Sequence, residues 1–169
     1  MQLYYDILPS PVGDLLIITQ ESTLIKIVFQ TKKEAHITKS EWIQGSEFLI
    51  QIKDELNSYF AGDLKQFSIQ VNPHGTPFQK QIWKEVMAIP FGQVCSYQDV
   101  ANNINKASAC RAVGRANSQN PIPIIIPCHR VIGKNGKLTG YAGGLNRKQT
   151  LLELEGINTE HYPNQYKLF

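Results

Sequence analysis

Residues 124–133 read IIIPCHRVIG, an apolar run that ends at a proline and continues at once with a cysteine, a histidine and an arginine. Pro127 fixes its own φ and favours an extended conformation for Ile126, so the run is predicted to be a buried strand that stops abruptly. Cysteine is a good nucleophile only as the thiolate, and a hydrogen-bonded imidazole raises the thiolate fraction. The stretch therefore indicates nucleophilic chemistry at Cys128.

The residues alone leave two other roles for this cysteine open, a structural one and zinc binding, and they do not show that His129 contacts it. Neighbouring side chains of an extended chain point to opposite sides, so His129 need not face Cys128. A cysteine after an apolar run can equally be a buried structural residue. Zinc binding is a weaker alternative, because Cys95, Cys110 and Cys128 lack the paired spacing of metal ligands.

Length and composition are those of an ordinary globular protein. The 169 residues are 42% hydrophobic and 18% charged, which allows one large domain or two small ones with a real core. No apolar stretch approaches a membrane span, and the start MQLYYDILPSPVGD lacks the layout of a signal peptide. An odd number of cysteines in such a chain predicts reduced thiols. We therefore expect a cytoplasmic protein without disulfides and without membrane association.

Basic charge is concentrated in one part of the chain. Residues 91–150 hold eight Lys or Arg residues against Asp99 alone, a balance of +7, whereas the whole chain carries only +3. A solvated basic face is one explanation, and a nucleic-acid-binding face is the other. The excess positive charge lies in the same segment as Cys128.

The first half of the sequence predicts a small sheet with one helix. The strand-like runs LYYDIL, DLLIITQ and TLIKIVFQ are separated by turn residues, which predicts an antiparallel meander. A helix is predicted between an N-cap at Ser46 and a stop at Gly62, and FSIQVN is predicted as a further strand. The sequence PHG at 73–75 resembles a linker, so we place an α/β structural domain at residues 1–73 and a second domain at 74–169.

The second half is predicted to be mainly helical. Thr76 can cap a helix that begins at Pro77, and Ser96 with Asp99 fits a capping box for YQDVANNI. ACRAVGRANSQN follows as a second short helix, which suggests a helix-turn-helix, and NRKQTLLELEG predicts a last helix that ends at Glu155. The predicted fold class is α+β, a small antiparallel sheet with a helix followed by a mainly helical domain.

The helix ACRAVGRANSQN is unusually rich in small residues. Gly114 inside it lowers the stability of the helix by about 1 kcal/mol relative to alanine. Ala112 contributes to a smooth surface from which Arg111 and Arg115 project. Close helix–helix packing explains such a surface, and so does docking in a narrow DNA groove. A major-groove reader would carry more polar side chains, so minor-groove docking with little sequence preference fits better.

The pattern around the cysteine extends through most of the second half. NPIPIIIPCHRVIGKNGKLTGYAGG, with IPFGQVCSYQDVA and ACRAVGRAN before it and RKQTLLELEG after it, closely resembles the O(6)-alkylguanine-DNA alkyltransferases, also called methylated-DNA–protein-cysteine methyltransferases. The resemblance runs from about Thr76 to Gly156, and the first half matches only in layout. It implies a ribonuclease-H-like first domain and a winged-helix-like second domain. It also implies a monomer that binds duplex DNA carrying O(6)-alkylguanine and uses no cofactor.

What this resemblance implies is direct and irreversible transfer of an alkyl group from guanine oxygen to Cys128, once in each molecule. His129 is then the base, acting through a bridging water, and Glu155 holds the histidine in the useful tautomer. Asn120 ties the helix-turn-helix to the active-site segment, although a simple turn before Pro121 would also explain it.

The target oxygen lies inside a stacked duplex, so the resemblance implies that the damaged base is flipped out. Arg111 would take its place in the duplex, and Tyr97 would crowd the target phosphate and help to protonate the departing guanine, unless it is a core tyrosine. The resemblance places four residues at the alkyl pocket besides Tyr97, namely Pro123, Val131, Tyr141 and Ala142. It places Gln98, Lys106 and Lys134 against the DNA backbone.

This chain departs from some members of the family at two places. Ala142 stands where some members have serine, which puts the tolerance for large alkyl groups in question. Residues 1–94 contain no cysteine, whereas some members bind zinc there, so we expect no metal.

The rival function is a non-catalytic damage sensor of the alkyltransferase-like type, which lacks the acceptor cysteine. A cysteine hydrolase is a third candidate, but it would turn over. Cys128 favours the repair protein.

Overall fold

The structure, a computed structural model, describes residues 2–31 and 38–161. The chain divides into two compact units, Met1–His74 and Gly75–Phe169, called unit 1 and unit 2 below. The strands are β1 Leu3–Leu8, β2 Leu15–Gln20, β3 Thr23–Phe29, β4 Ile43–Gln44, β5 Cys95–Ser96 and β6 Val131–Ile132. The helices are α1 Glu47–Phe60, α2 Pro77–Met87, α3 Tyr97–Asn103, α4 Cys110–Ser118 and α5 Leu145–Leu154. The predicted α+β class, with the sheet first and a mainly helical part second, is confirmed.

Unit 1 is built on a four-stranded sheet in the order β3-β2-β1-β4. Strands β1, β2 and β3 pair antiparallel, which confirms the predicted meander, and the short β4 pairs parallel with β1. Five of the six residues of β2 are buried, because this strand has a neighbour on each side and carries apolar residues on both faces. The core of unit 1 therefore lies around β2.

Helix α1 supplies the other half of that core. The Ser46 hydroxyl accepts a hydrogen bond from the Leu49 N–H, which confirms the predicted N-cap. The buried residues of the helix follow one stripe at helical spacing, and they are Leu49, Ile52, Leu56 and Tyr59.

The predicted strand FSIQVN is wrong. Only one isolated bridge, between Leu24 and Val71, forms in this stretch. The Ser68 N–H instead donates to the Glu55 carboxylate of α1 at 2.8 Å. The backbone of the segment is thus bound to a helix side chain where a strand partner would be needed.

Unit 2 opens with helix α2, whose predicted start is confirmed. Thr76 and Gln79 form a capping box in which each side chain accepts the backbone N–H of the other, and Pro77 occupies the first turn. Trp83 is buried, and its indole N–H donates to the Ala116 carbonyl of α4 at 2.9 Å. Met87, the last residue of the helix, is 46% exposed.

The predicted pair of short helices is present as α3 and α4. Ser96 and Asp99 make the expected capping box at the start of α3. A 3-10 turn, Ala107–Ala109, connects the two helices, which pack against each other and against α2. Helix α5 follows the glycine turn that ends at Gly144, and Glu155 caps its C-terminus as predicted.

The apolar run before the cysteine is not the predicted strand. Ile124 has φ +76°, a left-handed conformation that a β-branched residue adopts only under constraint, and it lies in a tight turn. The Ile126 N–H closes this turn on the Ile122 carbonyl at 2.9 Å. Cys128–Arg130 then form a single 3-10 turn. Successive side chains therefore fan out at about 120° instead of alternating between two faces.

No helix within the described residues is both long enough and apolar enough to span a lipid bilayer.

The capping box of α2 supports a stability prediction. Thr76→Ala removes the acceptor for the Gln79 N–H and should lower the free energy of unfolding by about 1 kcal/mol. Thr76→Ser keeps a hydroxyl at the same position and should stay close to the wild type. Urea unfolding followed by tryptophan fluorescence measures both, and equal losses for the two variants would contradict the role of the cap.

Candidate active site

Cys128 lies in the first position of the 3-10 turn and is only 5% exposed. Two asparagines from the helix-turn-helix hold it. The Asn120 side-chain amide donates to the Cys128 sulfur at 3.1 Å and to the Ile126 carbonyl at 2.8 Å, while its oxygen accepts the Ile122 N–H. The Asn117 amide donates to the Cys128 carbonyl at 3.2 Å. The structure thus brings Asn120 to the thiol, whereas no pattern in the sequence pointed to Asn117.

The thiol is held in its neutral form at rest. Burial raises the pKa of Cys128, and the hydrogen bond from Asn120, the charge of Lys148 and the influence of the Tyr141 hydroxyl oppose that rise without cancelling it. A proton acceptor is therefore needed to make the thiolate at neutral pH.

His129, Arg130 and Glu155 form a buried ionic cluster beside the thiol. The Glu155 carboxylate accepts His129 Nε2 at 2.7 Å, Arg130 Nε and Nη2 at 2.9 Å each, and the Gly92 N–H at 3.2 Å. Arg130 Nη1 donates to the Ile89 carbonyl at 2.6 Å. His129 has no exposed surface and Glu155 only 5%. The predicted contact between His129 and Glu155 is thus seen directly.

The charges of this cluster follow from its contacts. Burial would raise the pKa of Glu155, but the hydrogen bonds from His129 and Arg130 outweigh it and lower the pKa to about 2. Burial lowers the pKa of His129 below 6.5, and Glu155 offsets this only in part. The imidazole is therefore neutral with its proton on Nε2, and the lone pair is on Nδ1. That nitrogen is buried and makes no hydrogen bond within the described part of the chain.

Lys148 is a buried cation that the sequence did not single out. Its ammonium donates to the Val131 carbonyl at 2.5 Å and to the Thr139 carbonyl at 3.0 Å, and it lies 5.8 Å from the centre of the Tyr97 ring. Burial lowers its pKa to about 8, so it is largely charged at neutral pH. The ammonium favours the thiolate form of Cys128 electrostatically. Spacing in α5 gave no means of telling this lysine from a surface one.

Tyr97 lies between the helix-turn-helix and the segment after β6. Its hydroxyl is within hydrogen-bond distance of the Thr139 carbonyl at 3.0 Å and the Gly140 carbonyl at 3.1 Å. Burial, together with the nearby Cys128 and Cys110 thiols, raises the pKa of Tyr97 to about 12, so the phenol keeps its proton.

The predicted pocket residues differ in burial. Pro123 and Val131 are buried, Tyr141 is half-buried with its hydroxyl inside, and Ala142 is exposed. The Tyr141 hydroxyl favours the thiolate form of Cys128 and so lowers the pKa of that thiol. The structure thus brings Tyr141 and Val131 to the turn that carries the thiol, and it leaves Ala142 at the surface.

The residues predicted to meet DNA are mostly exposed. Those on α4 and the neighbouring turns with side chains in solvent are Arg111, Ala112, Arg115, Lys106 and Lys134. Gly114 instead faces inward, where an added Cβ would lie 3.7 Å from the Tyr97 ring. Gln98 uses its amide for internal hydrogen bonds to Asn102 and to the Ala107 carbonyl. A small residue at position 114 thus serves packing against Tyr97, while the arginines of the same helix point to solvent.

The basic charge count from the sequence overstates the basic surface. Arg130 and Lys148 are buried and bind internal oxygen atoms, so two of the eight cations of segment 91–150 do not face solvent. Arg130 therefore belongs to the buried cluster and not to the basic surface. Among residues 2–31 and 38–161, no three His, Cys, Asp or Glu side chains are close enough to hold a metal ion.

Acid unfolding tests the ionic cluster. The folded-state pKa of Glu155 is about 2 against an ordinary 4.5, so its stabilisation is complete above pH 4.5 and is lost as pH falls toward 2. Over that window the wild type should lose about 3 kcal/mol more of its free energy of unfolding than Glu155→Gln does. Urea titrations at several pH values measure the loss. Glu160→Gln removes an exposed carboxylate of the same unit, and its free energy of unfolding should depend on pH as that of the wild type does. If the free energy of Glu155→Gln also ran parallel to that of the wild type, the stabilising role of the cluster would be contradicted.

Comparison with known proteins accounts for both units of this structure. Residues 77–157 match the family model of the 6-O-methylguanine DNA methyltransferase DNA binding domain, and residues 3–73 match that of its ribonuclease-like domain. The methylated-DNA–protein-cysteine methyltransferase of Methanosarcina acetivorans is 46% identical over 91% of this chain and 99% of its own length. That of Mycobacterium bovis is 43% identical over 90% and 92%.

Solved structures agree with the family models. The crystal structure of Mycobacterium tuberculosis O6-methylguanine methyltransferase has a TM-score of 0.83 at 41% identity and covers 96% of each chain. The structure of Mycobacterium tuberculosis OGT in complex with DNA has a TM-score of 0.82 at 41% identity and covers 95% of each chain. With two matching domain models and relatives of this identity along nearly its whole length, the chain belongs to the 6-O-methylguanine DNA methyltransferase family.

Proposed function

We propose that this chain is a DNA repair protein that takes the alkyl group of O(6)-alkylguanine onto its own Cys128. The observation that supports it best is the surrounding of the thiol. Asn120 donates to the sulfur, and the next residue, His129, is a neutral base bound to the Glu155 carboxylate. The names of the relatives, methylated-DNA–protein-cysteine methyltransferases, support the same activity.

The reaction is a displacement at the alkyl carbon. The Cys128 sulfur forms a bond to that carbon while the bond from carbon to the guanine oxygen breaks. The thiol proton passes to His129 Nδ1 through a bridging water, because Nε2 is committed to Glu155. The departing guanine gains one proton, for which the Tyr97 phenol, still protonated at neutral pH, is the donor. His129 then returns a proton to Tyr97, so the overall change moves one proton from sulfur to guanine.

The product explains why each molecule should act once. Water does not displace the alkyl group from the thioether, because a thiolate is a poor leaving group from an unactivated alkyl carbon. Transfer therefore consumes the protein. This separates the proposal from a cysteine hydrolase, whose acyl-enzyme is hydrolysed in every cycle.

Access to the guanine oxygen requires the base to leave the duplex. Helix α4 presents exposed Arg111 and Arg115 beside the small exposed Ala112, a surface that fits a narrow groove. We assign Arg111 to the space left by the flipped base. Lys106 and Lys134 then supply contacts to the DNA backbone. Gln98 would donate to a phosphate through its side-chain amide, in exchange for one of the internal hydrogen bonds that the amide makes to Asn102 and to the Ala107 carbonyl.

The alkyl group would lie against Pro123, Val131 and Tyr141. Ala142 offers only its backbone N–H to the guanine oxygen, because it has no hydroxyl. A non-catalytic damage sensor needs no acceptor thiol, so Cys128 and its hydrogen bonds favour repair over sensing. The free thiols Cys95, Cys110 and Cys128 fit a reducing compartment, and we place the protein in the cytoplasm.

Transfer to the thiol can be read directly from peptide masses. Incubation with duplex DNA containing O(6)-methylguanine should add one methyl group to the Cys128 peptide and none to the peptides of Cys95 and Cys110. Cys128→Ser keeps a side chain of similar size and should gain no methyl group. Methyl on another cysteine, or an unmodified Cys128 after the DNA has lost its methyl group, would rule out this acceptor.

Arg111→Ala tests the assignment of the finger. If Arg111 fills the vacated place, its loss should slow transfer from saturating duplex DNA by about 100-fold, since unstacking a base costs a few kcal/mol. Transfer from free O(6)-benzylguanine needs no flipping and should change less than about twofold.

Arg115→Ala is the matched control on the same helix. It removes the same charge, so it should weaken duplex binding at moderate salt but leave the rate at saturating DNA unchanged. Equal rate losses of Arg111→Ala on duplex and free base, or equal behaviour of the two arginine variants, would contradict a specific finger.

A further inference from the structure

Arg130 binds the same carboxylate as His129, the proposed base. Its guanidinium binds both oxygens of the Glu155 carboxylate, Nε to Oε2 and Nη2 to Oε1, each at 2.9 Å. Oε1 is also the oxygen that accepts His129 Nε2. Histidine and arginine thus share one buried carboxylate, and on one oxygen they are direct neighbours.

Because Arg130 and His129 bind the same carboxylate, only one of them has to carry the positive charge that balances it. A buried carboxylate requires a cationic partner, because an unpaired ion in the protein interior is strongly disfavoured. Arg130 is permanently charged, its Nη1 donates to the Ile89 carbonyl, and its guanidinium lies 5.9 Å from the centre of the Phe91 ring. Burial disfavours a positive charge on His129, and although Glu155 attracts such a charge, Arg130 and Lys148 repel it.

We propose that Arg130 is a positioning residue of the alkyl-transfer reaction, which balances the charge of Glu155 so that His129 stays a neutral base with its lone pair on Nδ1. The inference rests on the proposed function, since only a proton-accepting histidine needs this arrangement. The bidentate contact also fixes the plane of the carboxylate and with it the direction of the hydrogen bond to Nε2.

Every charged group around His129 acts in the direction that the proposal requires, except Glu155. Arg130 in the same turn and Lys148 on α5 both lower the pKa of His129, as does its complete burial, which is the largest cause. Glu155 at the end of α5 raises it. From the loop between α2 and β5 the groups described at the cluster are uncharged, namely the Gly92 N–H, the Ile89 carbonyl and the Phe91 ring. Removing the charge of Arg130 takes away one of the two cations that oppose Glu155, so the pKa of His129 should rise.

The variant pair Arg130→Gln and Arg130→Lys separates charge from shape. Glutamine can still donate to Glu155 but carries no charge, whereas lysine keeps the charge but cannot form the bidentate contact. In Arg130→Gln the pKa of His129 should rise by about 1–3 pH units, as expected beside an unbalanced carboxylate. In Arg130→Lys it should stay close to the wild type. Titration of 15N-labelled histidine by NMR measures the protonation state and tautomer of His129 without any DNA.

Transfer rates supply the second measurement. The single-turnover rate with methylated DNA depends on neutral His129, so its acidic limb should move to higher pH in Arg130→Gln by the same 1–3 units. Arg130→Lys should recover the wild-type limb. Lys137→Met removes a positive charge of the same unit outside this cluster and should leave the NMR titration of His129 unchanged.

A destabilised Arg130→Gln can be rescued by removing both charges. The double variant Arg130→Gln with Glu155→Gln holds no unbalanced carboxylate, and in it His129 should again be neutral at neutral pH. A His129 titration that is the same in Arg130→Gln, Arg130→Lys and wild type would overturn the proposal, as would a double variant with charged His129. These outcomes are distinct from failure of the proposed function, which would appear as no transfer to Cys128 in the wild type.

Discussion

Unit 2 depends on the hydrogen bonds that the buried Glu155 carboxylate accepts. This carboxylate lies just beyond the last turn of α5, and its four donors come from the 3-10 turn after Pro127 and from the loop after α2. Three segments far apart in sequence therefore meet at one ion. Because leaving a buried charge without partners costs several kcal/mol, none of these segments can move independently of the others. The same ion sets the tautomer of His129, so the contact that holds the fold also prepares the base.

A second set of contacts ties backbone oxygens to side chains around the thiol. Asn120 and Asn117 bind the carbonyls of Ile126 and Cys128, and Lys148 binds those of Val131 and Thr139. Irregular backbone without helix or sheet partners needs such donors when it is buried. They allow a strained turn to present a thiol that is nearly inaccessible yet adjacent to a cation and a neutral base. A regular strand could not bring Cys128 and these groups together.

Local signals in the sequence predicted most of the fold, and side-chain contacts across the fold explain the rest. Capping residues at Ser46, Thr76 and Ser96 act on their own helices, so three helix starts could be read directly. The strand predicted before Cys128 failed because Ile124 adopts a left-handed conformation that its residue type disfavours. Arg130 and Lys148 were counted as charge without regard to burial, since spacing cannot show which oxygens a long side chain will reach. Family resemblance supplied the partner of His129, which residue patterns alone could not identify.

Direct transfer to a single protein thiol is the central claim, and counting repair events per molecule tests it most directly. Duplex DNA with radiolabelled O(6)-methylguanine is supplied in large excess, and the label bound to protein and lost from DNA is followed to completion. The account predicts that both amounts stop at one methyl group per protein molecule, whatever the excess and the time. Loss of label from DNA that continues past one equivalent, or label that never appears on the protein, would contradict it.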